Sequence, residues 1–328
     1  MIYQLNPELP VIRSDWRGNP KVGKEYQYVF NPPFRPEWRA VFRYLTTPNP
    51  QREEKRNDDW QPSVATDRTY LEDRSWEGVV WYGHACFLIQ LNGIRLLTDP
   101  VLRNLPGGLK RRAPAPLAPE NITGIDYLLL SHDHRDHTDQ PTIRRLLKRN
   151  APAAVLTGLE MRSVIGKWVG ETPIQEAGWF QQYHTVPGIE IVYMPAKHWC
   201  RRGLFDFNRR LWGSFIIRTE GKCIFFGADS GYGAQFRVIG EEFPDIDLAL
   251  LGVGAYKPAW MMQPMHTSPD EAVRGFHDLG ARKMLPMHYG TYDLSREPWS
   301  EPENRLRELF HDHPEQLVVA DWNSVIAV

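Results

Sequence analysis

The chain has 328 residues, 42% of them hydrophobic, which is enough for a large core in one elaborate domain or two small ones. Thirty-nine Lys plus Arg against 40 Asp plus Glu leave a net charge of −1, so nothing in the overall charge calls for a nucleic-acid partner. Three cysteines, Cys86, Cys200 and Cys223, form no close pair and exclude a disulfide framework, and no run reaches the roughly 18 apolar residues of a membrane-spanning helix. The segment Met1–Glu8 has neither a basic nor an apolar leader region, and with the reduced cysteines it makes the cytoplasm the expected compartment.

Residues 1–75 are rich in Pro, Arg, Asp and Trp, with weak hydrophobic periodicity. They read as an N-terminal extension, an extended arm with a helical turn around Pro36 to Leu45, wrapping a main domain over 76–328. Gln51 to Asp59 is highly charged and reads as exposed or mobile. From residue 76 strands dominate. Val79-Val80-Trp81 and Cys86 to Leu91 flank the turn Gly83-His84-Ala85, and Asn92-Gly93 predicts a tight hairpin into Ile94 to Pro100. Ile125 to Ser131 reads as a buried strand, with a helix beginning near Pro141. Ile189 to Met194 is a further strand. A second hairpin at Glu220-Gly221 joins Ser214–Ile217 to Cys223–Phe226, and Asp247 to Leu251 is another core strand. Ser268-Pro269-Asp270-Glu271 combines an N-cap, a first-turn proline and a capping-box glutamate, and Gly280 predicts the stop of that helix. Lys283 to Met287 is strand-like.

The chemistry concentrates in His132-Asp133-His134-Arg135-Asp136-His137, on the loop where the buried strand ends. Three imidazoles and a carboxylate in so short a run exceed what core packing can satisfy, and they are good ligands for zinc and neighbouring first-row ions. One loop cannot surround two ions. His198, Asp229 and His288 offer themselves at the ends of three other strand-like runs. His184, His277, His311 and His313 keep an ordinary structural or surface reading. Lys110-Arg111-Arg112 and Arg201-Arg202 are basic clusters, read either as solvated surface or as binding an anionic headgroup.

The ordered set His-x-His-x-Asp-His, His, Asp, His resembles the metallo-β-lactamase superfamily over roughly residues 76–328. The resemblance implies an α/β (α+β) four-layer αββα sandwich carrying two divalent ions, zinc by default with manganese or iron as alternatives. It assigns His132, His134 and His198 to one ion and Asp136, His137 and His288 to the other, with Asp229 bridging them beside a water or hydroxide that serves as nucleophile. A finer resemblance, to phospholipases D that hydrolyse N-acyl-phosphatidylethanolamine, rests on Gly83-His84-Ala85, Thr98-Asp99-Pro100, His198-Trp199-Cys200-Arg201-Arg202, Leu211-Trp212-Gly213-Ser214 and His288-Tyr289-Gly290-Thr291. The chain departs from that family in Tyr289, where Trp is common, and in Ala228, inserted before Asp229.

This implies hydrolysis of a lipid phosphodiester, with Asp136 and Asp229 in the catalytic centre. His266 would contact substrate or act as general acid, or else merely cap a helix. Asp99 would orient a ligand histidine, and His84 would touch the metal loop or be structural. Tyr256, Trp260, Met261, Met262 and Met265 read as an acyl-chain groove or as core. A homodimer and peripheral membrane contact are also implied. The competing readings are a lactonase acting on a phosphorylated sugar acid and a non-catalytic metal-binding scaffold.

Overall fold

The computed structural model describes residues 1–30 and 38–328. A small antiparallel sheet comes first, β1 (Ile2–Gln4), β2 (Asn19–Val22) and β3 (Glu25–Tyr26). The strands β4 (Gly78–Trp81), β5 (Phe87–Leu91), β6 (Ile94–Thr98), β7 (Tyr127–Leu130), β8 (Ala154–Gly158) and β9 (Ile174–Ala177) follow. Next come β10 (Gln181–Gln182), β11 (Glu190–Met194), β12 (Ser214–Arg218), β13 (Cys223–Phe226), β14 (Leu248–Gly252) and β15 (Lys283–Met287), and finally β16 (Val325–Ala327). They build two large mixed sheets, ordered β16-β4-β5-β6-β7-β8-β9 and β10-β11-β12-β13-β14-β15. In each, antiparallel hairpins give way to a parallel half, β6 to β9 in one and β13 to β15 in the other.

The two sheets bury one common core. Val79, Trp81, Phe87, Leu96 and Leu129 from the first meet Ile191, Phe215, Ile224, Phe226 and Leu250 from the second. Phe87 and Phe226 touch edge to face across the gap, ring centres 6.3 Å apart. The opposite face of the first sheet, Val80, Leu88, Leu97, Leu128 and Val155, is covered by Ile143 and Leu146 of α3 (Gln140–Leu146). The outer face of the second sheet is covered by Phe236 and Ile239 of α5 (Gln235–Glu242) and by Ala272, Phe276 and Leu279 of α7 (Pro269–Leu279). This is the expected αββα order. Near-continuous apolar runs such as Tyr127–Leu130 follow from burial on both faces, the hallmark of parallel strands sandwiched between layers.

Local chemistry places the elements as read. Asn92 and Gly93 take φ of 51° and 71°, the left-handed pair a two-residue hairpin needs. Asp139 caps α3 by accepting from Thr142 N–H at 3.0 Å. Ser268 and Glu271 form the reciprocal capping box of α7, and Gly280 closes it at φ 63°.

The N-terminal stretch differs from expectation. It contains the β1–β3 sheet, whose strands are too short to show alternation, so an extended arm is a poor description. α1 runs Trp38–Thr46; the first residues of the expected turn, Pro36 and Glu37, lie outside the described residues. Gln51–Asp59 is largely exposed, as its charge implies, but contains the short helix α2 (Arg52–Asn57), with Lys55 tied to Asp293 and to the carbonyl of Ser295. Aromatic side chains anchor this stretch to the rest of the fold. Trp16 meets Phe180 at 5.0 Å and Trp60 meets Tyr289 at 5.8 Å.

Candidate metal centre

Every residue of the expected ligand set sits at a strand end on one edge of the sandwich. The loop after β7 carries His132 to His137, β11 leads to His198, β13 to Asp229 and β15 to His288. His84 comes from the β4–β5 turn and Asp99 from the end of β6. Parallel strands of the two sheets thus deliver their C-terminal loops to a common edge, where ligand sites of open sheets gather. Four non-glycine residues here hold positive φ: His84 at 55°, Asp99 at 33°, Ala228 at 49° and His288 at 61°. Such backbone is costly and clusters where geometry is dictated by function.

Two quartets of ligand atoms form, each within 4.8 Å: His132, His134, His198 and Asp229, and His84, Asp136, His137 and His288. The first brings together the three histidines expected for one ion and the aspartate expected to bridge. The second contains the expected trio and adds His84. Asp229 stands between them. Its Oδ2 lies 3.6 Å from His198 Nε2 and 3.1 Å from His137 Nε2, while its Oδ1 lies 3.0 Å from His288 Nε2.

Ring orientation is set from outside. Ser131 Oγ–H donates to Asp99 Oδ2 at 2.5 Å and accepts from His132 Nδ1 at 2.9 Å. His137 Nδ1–H donates to the same Asp99 oxygen at 2.8 Å. His198 Nδ1–H donates to the carbonyl of Met265 at 3.0 Å. Each bond holds its ring with Nε2 facing inward. Asp99 is thus hydrogen-bonded to His137, and the backbone of Met265 to His198. His137 Nε2, His288 Nε2 and Asp229 Oδ1 are buried without a hydrogen-bond partner despite separations near 3 Å. Ligand atoms that approach closely without aligning as hydrogen bonds converge on a shared point, and once the histidines are deprotonated this set fits divalent cations.

The electrostatics agree. Burial works against ionising Asp136 and Asp229, yet the surrounding imidazoles, His137 foremost, outweigh it and hold both carboxyls well below the usual range. Burial also opposes charge on His288, but Asp229 and Asp136 raise it to about 9. The two buried carboxylates draw positive charge to this spot. Burial, assisted by His288, pushes His84 down to about 3, so its neutral ring donates from Nε2 to Asp136 Oδ2 at 3.2 Å.

His266 stands beside the cluster, its Nδ1 3.8 Å from Asp229 Oδ2 and its ring 5.1 Å from that of His198. Burial pushes it down to about 4, leaving a neutral ring suited to hydrogen bonding more than to proton donation. The helix cap it competed with belongs to Ser268 alone.

The other candidates divide. Trp260, at the exposed rim, carries Arg43 over its ring at 4.4 Å. Tyr256 turns away and hydrogen-bonds Glu301. It lines a cavity of 640 Å³ whose charged walls include Asp270, Glu271, Glu301 and Arg305. The basic clusters are largely structural. Arg111 is buried and donates to the carbonyls of Val101 and Tyr82, both at 2.8 Å. Arg112 donates to the carbonyl of Trp60 at 2.9 Å, and Arg202 to that of Asp133 at 2.7 Å. Cys200 is a bystander to the ligand set, its thiol directed at the carbonyl of Arg210. Sequence reasoning missed Ser131, Asp133 and Arg210, because a single serine, aspartate or arginine carries no periodic signal.

A family model described as beta-lactamase superfamily domain matches residues 94–289. The chain is 33% identical over 247 residues to N-acyl-phosphatidylethanolamine-hydrolyzing phospholipase D 1 of Caenorhabditis elegans, covering 70% of this chain and 68% of that protein. It is 34% identical over 239 residues to the mitochondrial N-acyl-phosphatidylethanolamine-hydrolyzing phospholipase D of Saccharomyces cerevisiae, covering 70% of this chain and 51% of that one. Its fold resembles that of the isothiocyanate hydrolase from Delia radicum gut bacteria, with TM-score 0.60 at 16% identity over 76% of this chain and 98% of that structure. With this family match and the paired ligand clusters on one sheet edge, the chain belongs to the metallo-β-lactamase superfamily as a metal-dependent hydrolase.

Proposed function

We propose that the protein is a dinuclear phosphodiesterase of phospholipase D type that hydrolyses N-acyl-phosphatidylethanolamine or a closely similar amphiphile. The observation that carries this reading is the identity of one third, over most of both chains, with a protein of that named activity. The two quartets would hold two divalent ions, which would supply Lewis-acid stabilisation of a phosphoryl oxygen and activation of water. The chain's own residues do the rest. Asp229 faces both quartets and is placed to orient the attacking water or hold its proton. His266, neutral and beside Asp229, is placed to hydrogen-bond the phosphodiester. Asp136, anchored by His84, completes the second site.

An apolar rim supports an amphiphilic substrate. Trp199 stacks on Phe207 at 5.6 Å and meets His134 at 4.6 Å. In the loop that follows, Leu204 and Phe205 are 77% and 85% exposed. Apolar side chains this exposed, beside Arg201 and Arg209, suit a lipid surface. Among the described residues no helix is long and apolar enough to cross a membrane, so contact would be peripheral. We place the protein in the cytoplasm or at a membrane face, with zinc as the default ion. The test is turnover of N-acyl-phosphatidylethanolamine in mixed micelles by metal-loaded protein, with a chelated control. Metal-dependent release of N-acylethanolamine is expected. Inactivity of protein shown to hold two ions would shift the reading to a soluble phosphodiester or a lactone.

A further inference from the structure

Asp133 sits between two expected ligands, His132 and His134, yet it faces away from the quartets. Its side chain is fully buried, and its Oδ2 lies 2.5 Å from Arg210 Nε. Its Oδ1 accepts from the backbone N–H of Arg201 at 2.9 Å. Arg202 donates through Nη1 to the carbonyls of Asp133 at 2.7 Å and Thr138 at 2.9 Å, so it grips both ends of the loop that holds four ligands. Arg210 is itself held by Asp206, whose carboxylate also accepts from the backbone N–H groups of Arg202 and Gly203.

The segment gripping the loop is the one that leaves His198. It starts three residues beyond that histidine and returns at Arg210, where the carbonyl accepts from the buried Cys200 thiol at 2.8 Å. The first quartet draws its three histidines from these two segments and no others: His132 and His134 from the loop, His198 from its partner. Their inward nitrogens converge, His132 Nε2 to His134 Nδ1 at 2.9 Å and His134 Nδ1 to His198 Nε2 at 3.2 Å. The second quartet shares the loop through Asp136 and His137 but has ties of its own, from Asp99 to His137 and through His84, whose N–H donates to Thr291 Oγ1 at 2.7 Å while its carbonyl accepts from the His288 N–H at 3.2 Å.

A buried ion pair is a poor means of raising stability, since desolvation offsets much of the attraction. Its use here is geometric. We propose that Asp133, Arg210 and Arg202 form a clamp that sets the spacing of the three-histidine site, so that these positioning residues govern retention of one ion of the pair and leave the other largely untouched. This rests on the reading that the two quartets each hold an ion.

The test is titration of metal-free protein with cobalt(II), followed by visible absorption and by metal content, on wild type, Arg210→Gln and Arg202→Gln, with circular dichroism to establish folding. Wild type is expected to take two ions. Folded Arg210→Gln is expected to keep one site near wild-type affinity and to weaken the other by about 10–100-fold, the usual loss when support behind a ligand is removed. Its absorption spectrum should change only in the component assigned to the three-histidine site. Arg202→Gln should weaken the same site by a smaller factor. Should Arg210→Gln fail to fold, Arg202→Gln decides alone. Equal affinities in a folded variant and wild type, or equal weakening of both sites, would overturn the clamp. A wild type that takes fewer than two ions would instead overturn the two-ion reading on which it rests.

Discussion

Replacing Asp99 by Asn probes how the second site is oriented. The carboxylate accepts from Ser131 N–H at 2.8 Å, from Ser131 Oγ–H at 2.5 Å and from His137 Nδ1–H at 2.8 Å. An amide keeps one acceptor oxygen and puts an NH₂ where a donor already points. Ser131 can rotate its hydroxyl, but the His137 ring cannot reverse without withdrawing Nε2 from the site. The displaced partner is therefore His137, and the ion held with Asp136 and His288 should bind about 10–100-fold more weakly, or about 1.4–2.7 kcal/mol. Stability of the metal-free fold should fall less. The lost charge-assisted bonds are worth about 1.5–3 kcal/mol, but removing a carboxylate that burial pushes upward in pKa offsets part of that. Competition with a chromophoric chelator gives both metal constants, and thermal melting of chelated protein gives the fold. A folded Asp99→Asn protein that binds both ions as wild type does would show that Asp99 does not orient His137.

Three further outcomes are expected. Asp229→Asn should reduce turnover by at least about a thousandfold while circular dichroism stays native, because it removes the only carboxylate facing both quartets among the described residues; full activity would remove it from the centre. His288 is raised to about 9 in the metal-free protein, so it is protonated at neutral pH and must lose that proton to bind an ion. His137 of the same quartet is likewise held well above its usual value, burial being outweighed by Asp229 and Asp136, so affinity at that site should rise with pH up to about 9, and calorimetry at pH 7 in buffers of different ionisation heat should show about two protons released; no buffer dependence would contradict this. Gly254→Ala would bring a Cβ within 2.1 Å of the His288 carbonyl oxygen. The backbone must shift, costing about 1–3 kcal/mol, and melting together with metal content should show a less stable protein that loses the His288 ion first.

The site was far more legible in the sequence than the architecture around it. Histidines and aspartates at strand ends are chemically conspicuous, and His132, His134, Asp136, His137, His198, Asp229 and His288 all reach one edge. The hairpin at Asn92-Gly93 and the capped helix from Ser268 were readable because each rests on local backbone demands. The β1–β3 sheet was not, since strands of two to four residues show no alternation. The basic clusters misled because sequence shows charge and hides direction; Arg111 and Arg202 spend theirs on backbone carbonyls. Tyr256 looked like part of an apolar groove until Glu301 appeared beside its hydroxyl, a partner 45 residues away in the chain. Asp133 lay inside the most conspicuous motif and still went unread, because its meaning depends on Arg210.

If this centre cleaves a lipid phosphodiester by attack of water at phosphorus, as proposed, the products formed in oxygen-18-labelled water will show it. Metal-loaded protein incubated there with N-acyl-phosphatidylethanolamine should put label in phosphatidic acid and none in N-acylethanolamine, with no conversion after chelation. Label in the N-acylethanolamine, or no conversion by protein that holds both ions, would overturn the proposal.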